Sequence, residues 1–286
     1  MLSMALRPHR RCPRWAAPID LVRWVGREDH AAQGGRKLMD APNPAPPISV
    51  LMYHQVGRFA EPTQHRSSFC DVRRFRAQMG LLKTLGYRVI SLREAQAALF
   101  EGQPLAGRSV VLSFDDGYEN FAEHALPVMA EFGYPSVLFA VSGLLGQPAR
   151  WLSSGGQDSP LMSAQQLRQL RSAQVEIGSH TVSHPRLSQL GATEAMREIA
   201  DSKAALEQSL GAAVDFFAYP YGDYNPAVRD AVAQAGYQAA LTCSRGTANT
   251  APNRYEIPRK AIAYGDDLFG FAWKLLVKNR RKDRYA

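Results

Sequence analysis

The feature that most constrains this chain is a repeated alternation of apolar runs of strand length with segments of helical periodicity. The runs fall at 48–53, 87–90, 109–114, 135–141, 175–179, 214–219, 237–242 and 257–263. Between 71 and 85, Val72, Phe75, Met79 and Leu82 recur at helical spacing, and Asn225 before Pro226 gives a later helix its N-cap and first-turn proline. Runs such as Val110-Val111-Leu112 and Val137-Leu138-Phe139 are apolar at consecutive positions, as strands covered on both faces must be. The pattern predicts an α/β fold, a (β/α) barrel of seven or eight strands. A doubly wound open sheet satisfies the same pattern.

Charge decides what the composition excludes. The chain of 286 residues has a formal charge of +8, which invites a nucleic-acid partner, but the excess sits at the ends. Residues 1–40 hold eight Lys/Arg against four Asp/Glu, residues 271–286 hold six against one, and residues 41–270 are left at −1. A nucleic-acid-binding core therefore loses its support. Cys12, Cys70 and Cys243 are odd in number, far apart and without a CxxC pair, which indicates neither a disulfide framework nor a cysteine zinc site.

The segment Ala41 to Pro47 is proline-rich and separates a basic arm, 1–47, from a globular domain expected over 48–264; a helix and basic tail occupy 265–286. The arm as written has no signal-peptide core and no membrane span, so a cytoplasmic location is expected, with Met39 as an alternative start. In the last segment Phe269, Phe271, Trp273, Leu275, Leu276 and Val277 mix with Lys274, Lys278, Arg280, Arg281, Lys282 and Arg284. A basic helix over Leu268 to Tyr285 with aromatic anchors fits packing on the barrel by its apolar half. Its tail fits contact with the inner membrane face.

Two clusters carry candidate chemistry. Asp115 and Asp116 follow an apolar strand and precede Gly117, at the C-terminal strand end where barrel active sites gather. Neighbouring strand residues point oppositely, so the two carboxylates have different tasks; an ordinary Asp-Asp-Gly turn is the competing reading. His180 and His184 follow the strand 175–179, and histidines four apart meet on one face of a helical turn, placed to grip one metal ion. Surface or capping histidines are the alternative. Together the clusters can supply an Asp/His/His site with an open coordination position.

Ser113-Phe114-Asp115-Asp116-Gly117, His180-Thr181-Val182-Ser183-His184 and Phe217-Ala218-Tyr219-Pro220-Tyr221-Gly222 resemble, in order, the three motifs of the polysaccharide deacetylases (NodB-homology domain). The resemblance spans about Ile48 to Tyr264 and implies a zinc-dependent hydrolase that removes acetyl groups from GlcNAc-type sugars. It implies that Asp116, His180 and His184 bind the metal and that Asp115 is the general base. The backbone N–H of Tyr221 then serves the oxyanion.

Two departures from the family pattern stand out. No histidine follows His184, so the general acid of a late motif is missing; Val50-Leu51-Met52-Tyr53-His54 resembles the poly-N-acetylglucosamine deacetylase branch, which implies His54 as the acid, a structural histidine capping the strand being the competing reading. Ala218 stands where many relatives carry an arginine, and Arg259 in Ile257-Pro258-Arg259 is the candidate replacement. Trp151 and Tyr221 offer ring faces to a sugar. An amidase acting on a cyclic imide or ureide and a catalytically silent glycan-binding module are the rival readings.

Overall fold

The computed structural model describes residues 46–62, 65–151 and 160–283; the expected basic arm, apart from Pro46 and Pro47, lies outside these residues. The described residues form ten strands: β1 (Ile48–Tyr53), β2 (Gln55–Gly57), β3 (Phe69–Asp71), β4 (Arg88–Val89), β5 (Ser109–Phe114), β6 (Ser136–Ala140), β7 (Val175–Ser179), β8 (Phe216–Ala218), β9 (Ala239–Arg245) and β10 (Ile257–Ala261). The helices are α1 (Val72–Thr84), α2 (Leu92–Phe100), α3 (Leu126–Phe132), α4 (Ala164–Leu170), α5 (Ala192–Leu210), α6 (Pro226–Gln234) and α7 (Leu268–Leu276). Local signals act as expected at α1 and α6. Asp71 caps α1 by accepting from the N–H groups of Arg73 and Arg74, and Asn225 caps α6 by accepting from Val228.

The strand order β1-β10-β9-β8-β7-β6-β5 is parallel throughout, and β5 pairs back onto β1 from Ile48 opposite Ser109 to Tyr53 opposite Phe114. Seven strands therefore close into a barrel, which excludes the open sheet. The eighth, β4, is two residues long and pairs with β5 at Ser109 and Val110, while β6 joins β5 further along at Ser113 and Phe114.

Strand alternation divides the apolar residues into two layers. Ile48, Val50, Val111, Val137, Phe139, Phe216, Ala218, Leu241 and Ile257 form one cluster, the barrel filling. Leu51, Tyr53, Val110, Leu112, Phe114 and Phe217 join Phe75, Met79, Leu82, Ile199 and Leu206 of the helices in another. The inward phase of β5 continues through Ser113 to Asp115, that of β9 through Cys243 to Arg245, and that of β10 to Arg259. Gly178 of β7 has no room for a side chain: a Cβ there would lie 2.4 Å from the Phe139 ring.

One element is added to the expected set and two expectations are corrected. β2 and β3, three residues each, pair in a small parallel sheet that the apolar pattern does not reveal. The residues from His180 to His184 are not a helical turn; Thr181 and His184 have φ of 70° and 66°, and the segment is a loop. The C-terminal helix ends at Leu276, not Tyr285, and the chain then turns back so that Lys282 bridges to Arg245. Among the described residues no helix is long and apolar enough to cross a membrane.

Candidate active site

The site lies at the C-terminal ends of the barrel strands, in a cavity of about 500 Å³ lined by His54, Asp115, Asp116, Trp151, His180, His184 and Tyr221 among others. Every site residue expected from sequence is thus brought to one place, with Arg259 directly behind Asp115. Asp116 Oδ1 sits 3.4 Å from His180 Nε2 and 3.3 Å from His184 Nε2. All three residues are buried, and Asp116 Oδ1 and His184 Nδ1 have no hydrogen-bond partner.

That geometry fits a divalent cation. Ligands held at about 2.0–2.2 Å from a tetrahedral ion stand about 3.4 Å apart, close to the spacing found here. The His180 Nδ1–H donates to the carbonyl of Ala218 at 2.7 Å, which fixes the tautomer and turns the Nε2 lone pair toward Asp116. Burial pushes the His184 imidazole below its ordinary pKa against the opposing pull of Asp116, favouring the neutral ring that a ligand must be. Burial would raise Asp116, but the two imidazoles hold its carboxyl well below the usual range.

Asp115 has a different partner. Arg259 Nη1 and Nη2 donate to its two carboxylate oxygens, each at 2.7 Å, while Nε donates to the Thr242 carbonyl at 2.9 Å. Both side chains are almost completely buried. Burial alone would raise Asp115; the Arg259 charge outweighs it and keeps the carboxyl below its ordinary pKa. The bidentate fork fixes the orientation of Asp115 as well as its ionisation.

Backbone strain is concentrated here. Among the described residues six non-glycine residues have positive φ, and Asp116, Thr181, His184 and Tyr221 are four of them, at 75°, 70°, 66° and 60°. Such conformations cost on the order of 1–3 kcal/mol each and persist only where the surroundings fix them. The surroundings are visible for the histidine loop: Glu198 of α5 accepts from the N–H groups of Val182 and Ser183, both at 2.9 Å, and from Ser183 Oγ at 2.6 Å. Sequence reading missed Glu198, which looks like one more acidic residue on a helix.

The aromatic residues pack on His184. Trp151 stacks on His184 with ring centroids 3.9 Å apart, and Tyr221 meets the same imidazole edge-on at 4.6 Å, with the Arg186 guanidinium 4.4 Å from the Tyr221 ring. Gly222 follows with φ 71°, where a Cβ would meet Cys243 Cβ at 2.5 Å, so the turn after Pro220 requires glycine.

Comparison with known proteins joins this geometry to a family. Residues 102–240 match the sequence profile "Polysaccharide deacetylase", a stretch holding Asp115, Asp116, His180, His184 and Tyr221 but not His54 or Arg259. The YxkH protein of Bacillus subtilis, named as a polysaccharide deacetylase, is 25% identical over 76% of this chain and 72% of its own length. The poly-beta-1,6-N-acetyl-D-glucosamine N-deacetylase of Escherichia coli K12 is 27% identical over 71% of this chain, which spans only 35% of that enzyme. The deacetylase PplD of Streptococcus pyogenes shares the fold, with a TM-score of 0.70 over 80% of this chain and 98% of that one at 23% identity. With the Asp-His-His cluster inside the matched stretch, residues 102–240 carry a polysaccharide deacetylase domain, and the relatives named for their activity are hydrolases of carbon–nitrogen bonds.

Proposed function

We propose that residues 48–264 form a zinc-dependent deacetylase domain that releases acetate from N-acetylglucosamine units of a poly-N-acetylglucosamine-type glycan. The observation that carries this reading is the convergence of Asp116, His180 and His184 beside an Asp115 clamped by Arg259, in one cavity. The substrate class is supported by the E. coli relative and by the Tyr53-His54 strand end. A divalent ion held by the three ligands supplies Lewis-acid polarisation of the acetyl carbonyl and a lowered pKa for water.

The chain's own groups do the rest. Asp115 accepts a proton from the attacking water as the water oxygen bonds to the carbonyl carbon. Tyr221, through its main-chain N–H, stabilises the negative charge that develops on the carbonyl oxygen. His54, whose Nδ1 is buried without a partner, donates a proton to the leaving nitrogen as the C–N bond breaks. The products are acetate and a free amine. Trp151 and Tyr221 form the aromatic wall for the sugar, each with part of its surface already against His184.

The test is metal analysis coupled to acetate release on a panel of N-acetylated glycans, with ring opening of a cyclic imide as the contrasting reaction. His180→Ala is expected to lose the metal and with it turnover. Retained metal with normal activity would reject the ligand set. Imide opening without acetate release would reject the substrate class.

The reading extends to a lipid surface as partner. Of six exposed large apolar residues among those described, Leu268, Phe269, Trp273, Leu276 and Val277 lie on α7 or at its C-cap, with Phe269 87% exposed, and Lys278 and Arg280 follow directly. A short amphipathic helix of this kind with adjoining cations fits an anionic bilayer. Co-sedimentation with phosphatidylglycerol vesicles is expected to fall at least fivefold in F269S/W273S. Unchanged sedimentation, or loss of a dimer in its place, would remove the lipid assignment.

A further inference from the structure

The wall of the same cavity contains a feature that acetyl transfer to water does not use. At the end of β9, Arg245 faces Lys282 of the C-terminal tail across an antiparallel bridge, each N–H donating to the other's carbonyl at 2.9 and 2.7 Å. Residues paired in this way carry their side chains on the same face, with Cβ atoms about 5 Å apart. Both residues line the cavity. The fold therefore sets two cations side by side, an arrangement that destabilises a strand pair unless something offsets it.

No carboxylate among the described residues forms an ion pair with either cation, although Asp283 lines the same cavity. Asp283, the acid nearest in sequence, is engaged by Arg281 at 2.8 Å, and Glu256 by Arg229 and Arg281, each at 3.3 Å. Arg245 Nε is buried without an acceptor. The tail is nevertheless fixed: Thr247 N–H donates to the Asn279 carbonyl at 3.1 Å, and the buried Lys260 ammonium donates to Asn279 Oδ1 at 2.8 Å and to the Leu275 carbonyl at 2.9 Å. The main chain that carries the two cations is thus held in place.

We propose that Arg245 and Lys282 form an anion subsite beside the acetyl-cleaving centre, for a carboxylate or phosphate ester carried on the glycan. The inference rests on the deacetylase reading for its substrate and names a selectivity within it. A guanidinium offers a planar fork to either oxyanion and an ammonium adds a point charge, so the pair recognises the charge and not one particular acid. The same pair repels an ammonium group, which is what each completed deacetylation leaves on a sugar. Chains that carry acidic groups are favoured, and chains already rich in free amines are disfavoured.

The experiment measures binding apart from turnover. Asp115→Asn holoenzyme is titrated in a calorimeter with three N-acetylated ligands: neutral chitotetraose, a tetrasaccharide alternating N-acetylglucosamine with glucuronic acid, and an N-acetylglucosamine disaccharide bearing a phosphate ester. At low salt at least one anionic ligand is expected to bind about tenfold more tightly than the neutral one, with the advantage shrinking as salt rises. R245Q/K282Q is expected to bring the ratio to near one; K282Q alone, which keeps the main-chain bridge, should lower it at least twofold and decides the matter if the double variant fails to fold. Equal affinity for all three ligands, or a preference that survives the substitutions, overturns the subsite. Acetate release by the unmutated enzyme, measured separately, tests the deacetylase reading, so the two can fail independently.

Discussion

Asp115→Asn is expected to lower kcat by about 10²- to 10⁴-fold while metal content stays at the unmutated level. Asp115 is outside the ligand cluster: its two oxygens are both taken by Arg259, and the metal-site contacts are made by Asp116. An amide at this position cannot accept a proton from water. Its NH2 group also faces a guanidinium donor, so the Arg259 fork loses one of its two bonds and some stability is lost with it. The measurement is kcat on protein shown to be folded, with metal quantified in the same preparation. Turnover within a few-fold of normal would remove Asp115 from the role of base, and loss of metal would show that it belongs to the ligand set.

Arg259→Met is expected to destabilise the protein by about 3–5 kcal/mol, because it leaves a buried carboxylate without its counter-charge. For a domain of this size that corresponds to a fall in Tm of roughly 10–15 °C. The pH dependence gives the prediction a second, independent readout. In the unmutated protein the folded-state pKa of Asp115 is depressed, so its contribution is fully present above the ordinary carboxylate value and is lost only as pH falls through the lower folded value. In the variant the chief lowering influence is gone and burial pushes the pKa up. The folded state then binds the proton more tightly than the unfolded state, and stability declines as pH rises above about 4. The deficit relative to the unmutated protein should therefore be larger at pH 8 than at pH 5. A Tm equal to that of the unmutated protein at both pH values would mean that Arg259 does not hold Asp115 as the geometry indicates.

Arg259 also shows how far a sequence can be read. Its inward phase on β10 follows from alternation, and the missing arginine at Ala218 made it a candidate, but its partner is 144 residues away. The contact exists because β1 pairs with both β10 and β5, which carries the end of β10 toward the end of β5. The histidine loop teaches the opposite lesson. Its residues were identified, but a helical turn was the wrong means of bringing them together. Glu198 and the left-handed residues Thr181 and His184 do so instead, and no local propensity announces a conformation that tertiary hydrogen bonds impose. The tail was misread for a similar reason: apolar and basic residues at helical spacing continue past Leu276, but pairing of Lys282 with Arg245 competes successfully with further helix.

The sequence by itself determined the seven barrel strands, the short β4 and the caps of α1 and α6, and resemblance to the deacetylase motifs singled out Asp115, Asp116, His180 and His184. The strands and caps depend on periodicity and on neighbours a few residues apart, and such information is complete within each segment. Barrel closure, the Arg259 clamp, the support from Glu198 and the juxtaposition of Arg245 with Lys282 were decided only by the tertiary structure. Each is a contact between segments whose separation along the chain carries no geometric information until the sheet has closed.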